Sequence, residues 1–345
     1  MSGRKYIGVD LGAWYHTQNK TSIAIGVESK GKLKITSIYK EYGSETFYSQ
    51  SQIQEIFKNT KKKYLNATNW NAHLTPDNKN KYLVDFLLEE AEGNALIAID
   101  SPFSVPSMLE QGNKERSYNY KWDKVYNEIS NPYIFDNSAR FVFEHTYQKP
   151  LAPAGDKIGK MTARMVHIID NYSNTLKIHK TPTLKKNESV STIEVFPAAT
   201  LYLYITYLYK NKKINIQNYL EEFDQIEKEL SSTTLISYKN TYWKKKIKDN
   251  YSIKKLKNFN KSKQEIIKNL QKSSPCWNKK NEYRMLKLIE NDVIFDKDLI
   301  KTDDDYDAII CALTAYLIDK NGYEKPDEKD IKKFTNSFIY IPKIK

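Results

Sequence analysis

Ala95-Leu96-Ile97-Ala98-Ile99-Asp100-Ser101-Pro102 is a continuous apolar run that ends on an acid and a proline. Five apolar residues without polar alternation suit a central strand covered on both faces. Lys5-Tyr6-Ile7-Gly8-Val9-Asp10 follows the same plan, a short β-rich run that also ends on an acid. A carboxylate at the tip of an apolar strand is costly to bury unless something pairs with it. With the two strands parallel and adjacent, both acids emerge at one edge of the sheet, the edge where open α/β sheets bind ligands.

Outward from these two runs, Ser22–Glu28 and Lys32–Tyr39 read as two further strands, joined through Ser-Lys-Gly, a tight-turn signal. Helical patterns cover 50–66 and 81–92, the second with Leu83, Phe86 and Leu87 on one face. Ser191–Phe196 is another strand, closed by Pro197 and followed by a helix from Ala198 to about Tyr209. The last strong element is Asp304–Asp319, where Ala308, Ile309, Ala312, Leu313 and Leu317 make an apolar face. Three strands, then helix, strand, helix, strand and a final helix predict an α/β fold with a mixed five-stranded sheet flanked by helices, in ribonuclease H-like order. The expected segments are 1–102 (first part of the core), 103–190 (a mostly helical insertion), 191–209 (core strand and helix), 210–300 (a Lys-rich helical insertion), 301–320 (final core helix) and 321–345 (a C-terminal tail).

No apolar run approaches the ~20 residues that cross a bilayer, and the N-terminus enters a strand pattern without an apolar signal core. Cys276 and Cys311 are the two cysteines, too few for a disulfide framework or a cysteine-rich zinc site. A cytoplasmic protein without membrane partners is the expectation. The net charge of +13 favours a polyanionic partner, nucleic acid above all, with compositional bias toward Lys, Asn, Ile and Tyr as the alternative source. The Lys/Tyr/Trp mixture around Lys244, Lys245 and Lys246 suits either a surface that tracks a phosphate backbone or a solvated lysine-rich face.

Thr302-Asp303-Asp304-Asp305-Tyr306-Asp307-Ala308 opens the last helix, and Asp304 and Asp307, three apart, share one of its faces. Beyond them, Cys311, Ala312 and Ala315 are small enough to let this helix approach the sheet closely. Asp10, Asp100, Asp304 and Asp307 therefore make a candidate set of hard oxygen ligands for Mg²⁺ or Mn²⁺, suited to metal-assisted phosphodiester cleavage. Acids at a helix N-terminus are also favoured by the helix dipole, so Asp303, Asp304 and Asp305 have a capping role as the alternative. Glu194, an acid within an apolar strand, is expected as a metal ligand or as a residue holding a metal-bound water, against an exposed-edge position. The five histidines show no compact ligand spacing.

Four segments carry a family resemblance: Gly8–Gly12, Ile97–Pro102, Glu194–Ala198 and Asp304–Ala315. Together they resemble a family of bacterial and archaeal proteins described as predicted ribonuclease H-like nucleases (the domain-of-unknown-function family numbered 429). Pro150–Gly159, followed by Arg164, looks like a motif of its longer members; Lys157 and Arg164 are candidate phosphate contacts, with a structured loop before a helix as the alternative. The last segment is also similar to the final helix of Holliday-junction resolvases, where an acid or histidine precedes an aspartate by three residues. The resemblance implies a nuclease with Asp10, Asp100, Asp304 and Asp307 at its centre and Glu194 beside them. It covers 210–290 poorly.

Two other functions compete: a nucleic-acid-binding module without catalysis, and an actin- or sugar-kinase-like ATPase, whose first phosphate loop also follows a strand with Asp-x-Gly. Asp10-Leu11-Gly12 fits the ATPase pattern, but Asp100-Ser101-Pro102 lacks the glycine of a second phosphate loop. A homodimer or a protein activator is left open.

Overall fold

The structure is a computed structural model that describes residues 3–13, 21–41, 46–57, 76–104, 137–146, 150, 159–185, 188–210, 289–334 and 337–345. The chain divides into two compact units, Met1–Leu201 with Ile289–Lys345, and Tyr202–Leu288. Within the second, the described residues are 202–210, the end of one helix. The first unit holds the sheet and every acid of the candidate site.

Its centre is a mixed sheet of β1 (Lys5–Asp10), β2 (Ser22–Ser29), β3 (Lys32–Lys40), β4 (Ala95–Asp100), β5 (Ile178–His179), β6 (Val190–Glu194) and β7 (Val293–Ile294). The spatial order is β5-β6-β4-β1-β2-β3-β7. Strands β1, β2 and β3 run antiparallel, while β4 joins β1, and β6 joins β4, in parallel. Lys30 (φ 53°) and Gly31 (φ 76°) make the β2–β3 connection, two successive positive-φ residues that match the right-handed twist of a tight hairpin. The expected five-stranded sheet has seven strands. The two additions are two-residue edge strands, β5 on β6 and β7 on β3, too short to show any periodicity in sequence.

The two faces differ in chemistry. On one, Ile7, Val9, Ile23, Ile25, Ile97 and Ile99 pack with residues of α2 (Pro76–Ala91) and α4 (Gly159–Leu176), among them Leu83, Leu87, Met165 and Ile168. Between those helices in sequence lies α3 (Asn137–Thr146), and α1 (Gln50–Phe57) precedes them; the rest of the helix expected over 50–66 lies outside the described residues. Helix α5 (Pro197–Lys210) follows β6 as expected. The other face carries α6 (Asp303–Asn321), which crosses β1, β2 and β4. Register aligns Ala24, Gly8 and Ala98 across β2, β1 and β4, a row of small residues under that helix. Nearly every residue of α6 from Asp304 to Ile318 is buried, so the one apolar face read from sequence understates its burial.

The segment after α6 is packed rather than trailing. Phe334, Phe338, Tyr340 and Ile341 are buried, and Ile339 bridges to Glu194 at the end of β6. No helix of the described residues is long and apolar enough to cross a membrane.

Gly8 sets the distance between α6 and the sheet. A Cβ there would lie 2.0 Å from the Ala308 carbonyl oxygen and 2.3 Å from the Ala312 nitrogen, both backbone atoms. Gly8→Ala is expected to cost about 3 kcal/mol or more in urea unfolding, at the upper end of core overpacking. Gly3→Ala, where nothing lies within 4 Å, is expected to change the midpoint little. Equal midpoints for the two variants would show that α6 does not depend on the gap at Gly8.

Candidate functional site

The ends of four strands make one polar row. Asp10 pairs with Asp100 on β4 and with Ser22 on β2, and Ser22 pairs with Lys40 on β3. Paired residues on neighbouring strands point to the same side, so Lys40, Ser22, Asp10 and Asp100 share the face on which Gly8 meets α6. Neighbouring strands are ~4.8 Å apart, which leaves the two carboxylates side by side.

The N-terminus of α6 settles on this row. Thr302 is the N-cap, its hydroxyl accepting from the Asp305 N–H at 3.3 Å. Asp305 is fully buried, and its Oδ2 accepts from the Lys301 N–H at 2.9 Å and the Thr302 N–H at 3.0 Å. The same oxygen meets Lys40 Nζ at 2.8 Å, while Oδ1 accepts from Ser22 Oγ at 2.8 Å. Asp305 is thus a capping residue that pins the helix to β2 and β3.

Two residues later, Asp307 faces Asp10 and Asp100. Burial pushes the Asp10 carboxyl well above the ordinary range, and the charges of Asp307, Asp100, Asp304 and Asp303 push it further. Asp307 is raised in the same direction by burial, then by Asp100, Asp303 and Asp304. Burial lifts Asp100 to about 7. Cys311, one helical turn below Asp307, is raised by burial and by the charges of Asp100, Asp10 and Asp307, which keeps its sulfur a thiol and argues against a nucleophilic role.

The structure thus brings Asp10, Asp100, Asp304 and Asp307 into one electrostatic group. Hard, half-buried carboxylate oxygens that repel one another are the donor chemistry a divalent cation of the Mg²⁺ type takes. Among the described residues, no three His, Cys, Asp or Glu side chains are closed on a common point as a ligand cage. The donors fit such an ion in kind.

Glu194 stands apart from this group. Its register partner is Ile99, which puts it on the face opposite Asp100. It is buried, and its Oε2 accepts from the Phe103 N–H at 3.2 Å and from Ser337 Oγ at 2.5 Å. It ties the chain leaving β4 to the C-terminal segment.

Arg164 requires a correction. Expected at a phosphate, it is fully buried on α4, its guanidinium engaged by Gly12, Thr21, Asn80 and Glu41. A fork of donors already filled by protein acceptors in a dry site has no access to a nucleic-acid backbone. Lys157 and the Lys244, Lys245 and Lys246 cluster lie outside the described residues, as do His16 and His73. His167 is held by Asp77 (2.7 Å) and Asn80 (2.9 Å), and His179 by Glu188 (2.7 Å). Sequence reasoning passed over Ser22 and Lys40. Their only signal is their place at strand ends, and only the register joins them to Asp10.

Models of known protein families, curated proteins and solved structures were compared with the chain, and none matches it.

The raised carboxyls make a pH prediction for the metal-free protein. In the unfolded chain the Asp100 carboxyl ionises near 3.8, whereas in the fold it holds its proton to about 7. The folded state binds more protons between those values, so stability falls as pH rises from about 4 to about 7. Asp10 and Asp307, raised alike, act in the same direction. Thermal unfolding in EDTA across that range is expected to show the decline, with a shallower slope for Asp100→Asn. A slope identical to wild type would show that the fold does not raise the Asp100 carboxyl.

Proposed function

We propose that the chain is a divalent-metal-dependent nuclease with a ribonuclease H-like core, hydrolysing phosphodiester bonds of DNA or RNA. The observation that carries this reading is the pairing of Asp10 with Asp100 at the ends of adjacent parallel strands, with Asp307 brought over them by α6. The strand order supports the core assignment: an antiparallel β1–β2–β3 meander, with β4 and β6 parallel beside β1.

Mg²⁺ or Mn²⁺, when bound, supplies the positive charge that activates a water and stabilises the leaving oxygen. Asp10, Asp100 and Asp307 would hold it, with Asp304 at the helix N-terminus beside them. Asp305, through Lys40 and Ser22, keeps Asp307 over the strand ends. Glu194 braces the chain leaving β4 from the opposite face, a supporting role in place of the ligand or water-holding role expected from sequence. The net positive charge and the lysines at 157 and 244–246 suit attraction of a nucleic-acid backbone. A binding module without catalysis would have no use for carboxylates that repel the phosphates. The ATPase alternative gains nothing from Ser101-Pro102-Phe103-Ser104, which offers no glycine to cradle a phosphate.

The test is cleavage of labelled single-stranded, double-stranded and branched DNA, of RNA and of RNA–DNA hybrids, each with Mg²⁺, Mn²⁺ or EDTA. Asp10→Asn and Asp307→Asn are expected to lower the metal-dependent rate by more than about a hundredfold, since the loss of groups that merely support metal ligands already costs 10–100-fold. Wild-type rates from both variants would refute the site. Binding supplies a separate measurement. Charge reversal at Lys244–Lys246 is expected to weaken DNA affinity and flatten its dependence on salt. An unchanged slope would return that segment to a solvated face.

A further inference from the structure

Arg164 reaches three strand ends at once. Its Nη1 donates to the Gly12 carbonyl at 2.8 Å and to Thr21 Oγ1 at 2.9 Å. Its Nε donates to Asn80 Oδ1 at 3.1 Å, and Nη2 faces Glu41 Oε1 at 3.5 Å. Thr21 is the hub of the group. Its Oγ1 also accepts from the Gly12 N–H at 3.2 Å and donates to Glu41 Oε2 at 3.1 Å. Tyr48 Oη donates to Glu41 Oε1 at 3.4 Å. Thr21, Glu41, Asn80, Arg164 and the neighbouring Lys79 are all fully buried.

The positions of these partners matter more than their number. Gly12 is two residues beyond Asp10. Thr21 immediately precedes Ser22, the register partner of Asp10. Glu41 immediately follows Lys40, the register partner of Ser22. The network therefore lies one step past the Lys40–Ser22–Asp10 row and gathers the ends of β1, β2 and β3. A buried guanidinium needs acceptors for all of its N–H groups, and this one draws them from the ends of three strands. Here the planar guanidinium holds a backbone carbonyl and a hydroxyl at fixed angles, which a point-charge ammonium cannot reproduce.

We propose that Arg164, acting through Thr21 and Glu41, is a positioning residue for the carboxylate centre. It fixes the backbone that leaves Asp10 and thereby the placement of the Asp10 carboxylate against Asp100 and Asp307. This rests on the reading of those acids as a metal site. Removing the Thr21 hydroxyl leaves the Gly12 N–H and an Arg164 N–H without that acceptor in a dry site, and the backbone after Asp10 must move to satisfy them.

The test is Mn²⁺ binding to the full chain, followed by electron paramagnetic resonance and calorimetry, with no cleavage assay involved. Wild type is compared with Asp10→Asn, Arg164→Lys and Thr21→Val. Thr21→Val keeps the buried Arg164–Glu41 pair, so it serves if Arg164→Lys fails to fold. Thr192→Val is the control, since it removes a buried hydroxyl bonded to the Leu176 carbonyl at 2.8 Å on the opposite face from the acids. Thr21→Val is expected to fold cooperatively and bind Mn²⁺ roughly tenfold more weakly. Thr192→Val, with a comparable loss of stability, is expected to stay within about twofold of wild type, well inside that effect. Binding by Thr21→Val equal to wild type would overturn the positioning role and leave the metal site standing. Equal weakening in Thr192→Val would overturn it as well, by tracing the effect to stability. No Mn²⁺ binding by wild type, or undiminished binding by Asp10→Asn, would overturn the metal reading and the positioning role together.

Discussion

The close approach of α6 to β1 at Gly8 is the contact on which the rest depends. With backbone atoms of Ala308 and Ala312 where a side chain would otherwise stand, the helix lies nearer the sheet than ordinary side-chain packing permits. Ala24 and Ala98 widen the gap on either side, so the helix meets three strands and not one. Depth of approach then sets the chemistry. Asp307 directly precedes Ala308, and Asp10 lies one side-chain repeat beyond Gly8 on the same face. The spacing that brings the helix down on Gly8 therefore sets the two carboxylates against each other.

Bringing like charges together at a buried edge is unfavourable, and the surroundings offset only part of it. The N-terminal end of a helix favours negative charge, and Asp305 takes the strongest of that help through two backbone N–H groups, Ser22 and Lys40. Among the described residues, no cation is among the main influences on Asp10 or Asp307. Burial drives all three carboxyls upward, and repulsion among the acids adds to it at Asp10 and Asp307. An optimised structural network would pair these acids as it pairs Asp305. The contrast within five residues of one helix marks Asp305 as structural and Asp307 as held in an unfavourable state, the kind of local conflict that concentrates at functional sites.

Much of this was legible in the sequence because it rested on local signals. Strands β1 and β4 end where their apolar runs end, and the Lys30-Gly31 turn fixes the hairpin register. The acids at the strand tips and the Asp304/Asp307 spacing pointed to one edge, and the fold brings them there. The failures all involve relations that no local pattern encodes. Glu194 reads as an acid within an apolar strand, and the face it takes depends on its pairing with Ile99 and not Asp100. A single step in register separates a residue among the acids from one behind them. Arg164 resembled a phosphate contact because it follows a basic, glycine-containing loop. Its partners, residues 12, 21, 41 and 80, are scattered over the first quarter of the chain and meet it only in the fold. The short edge strands and the packed C-terminal segment were missed for the same reason: each is shaped by the surface it docks against.

The sheet edge is best understood as a wall with two sides. On the α6 side stand Asp10, Asp100 and Asp307. On the other, Glu194 holds the chain leaving β4, and Arg164 with Glu41 and Thr21 holds the chain leaving β1. A strand end has lost its ladder partners and is free to fray, yet charged groups with competing interactions require fixed positions. Bracing from the apolar side resolves that conflict. There the surroundings are dry, hydrogen bonds strengthen, and the braces do not compete with anything that approaches the acids. The parallel pair β1–β4 is thus tied beyond each tip by a buried ionic side chain on the face away from the carboxylates.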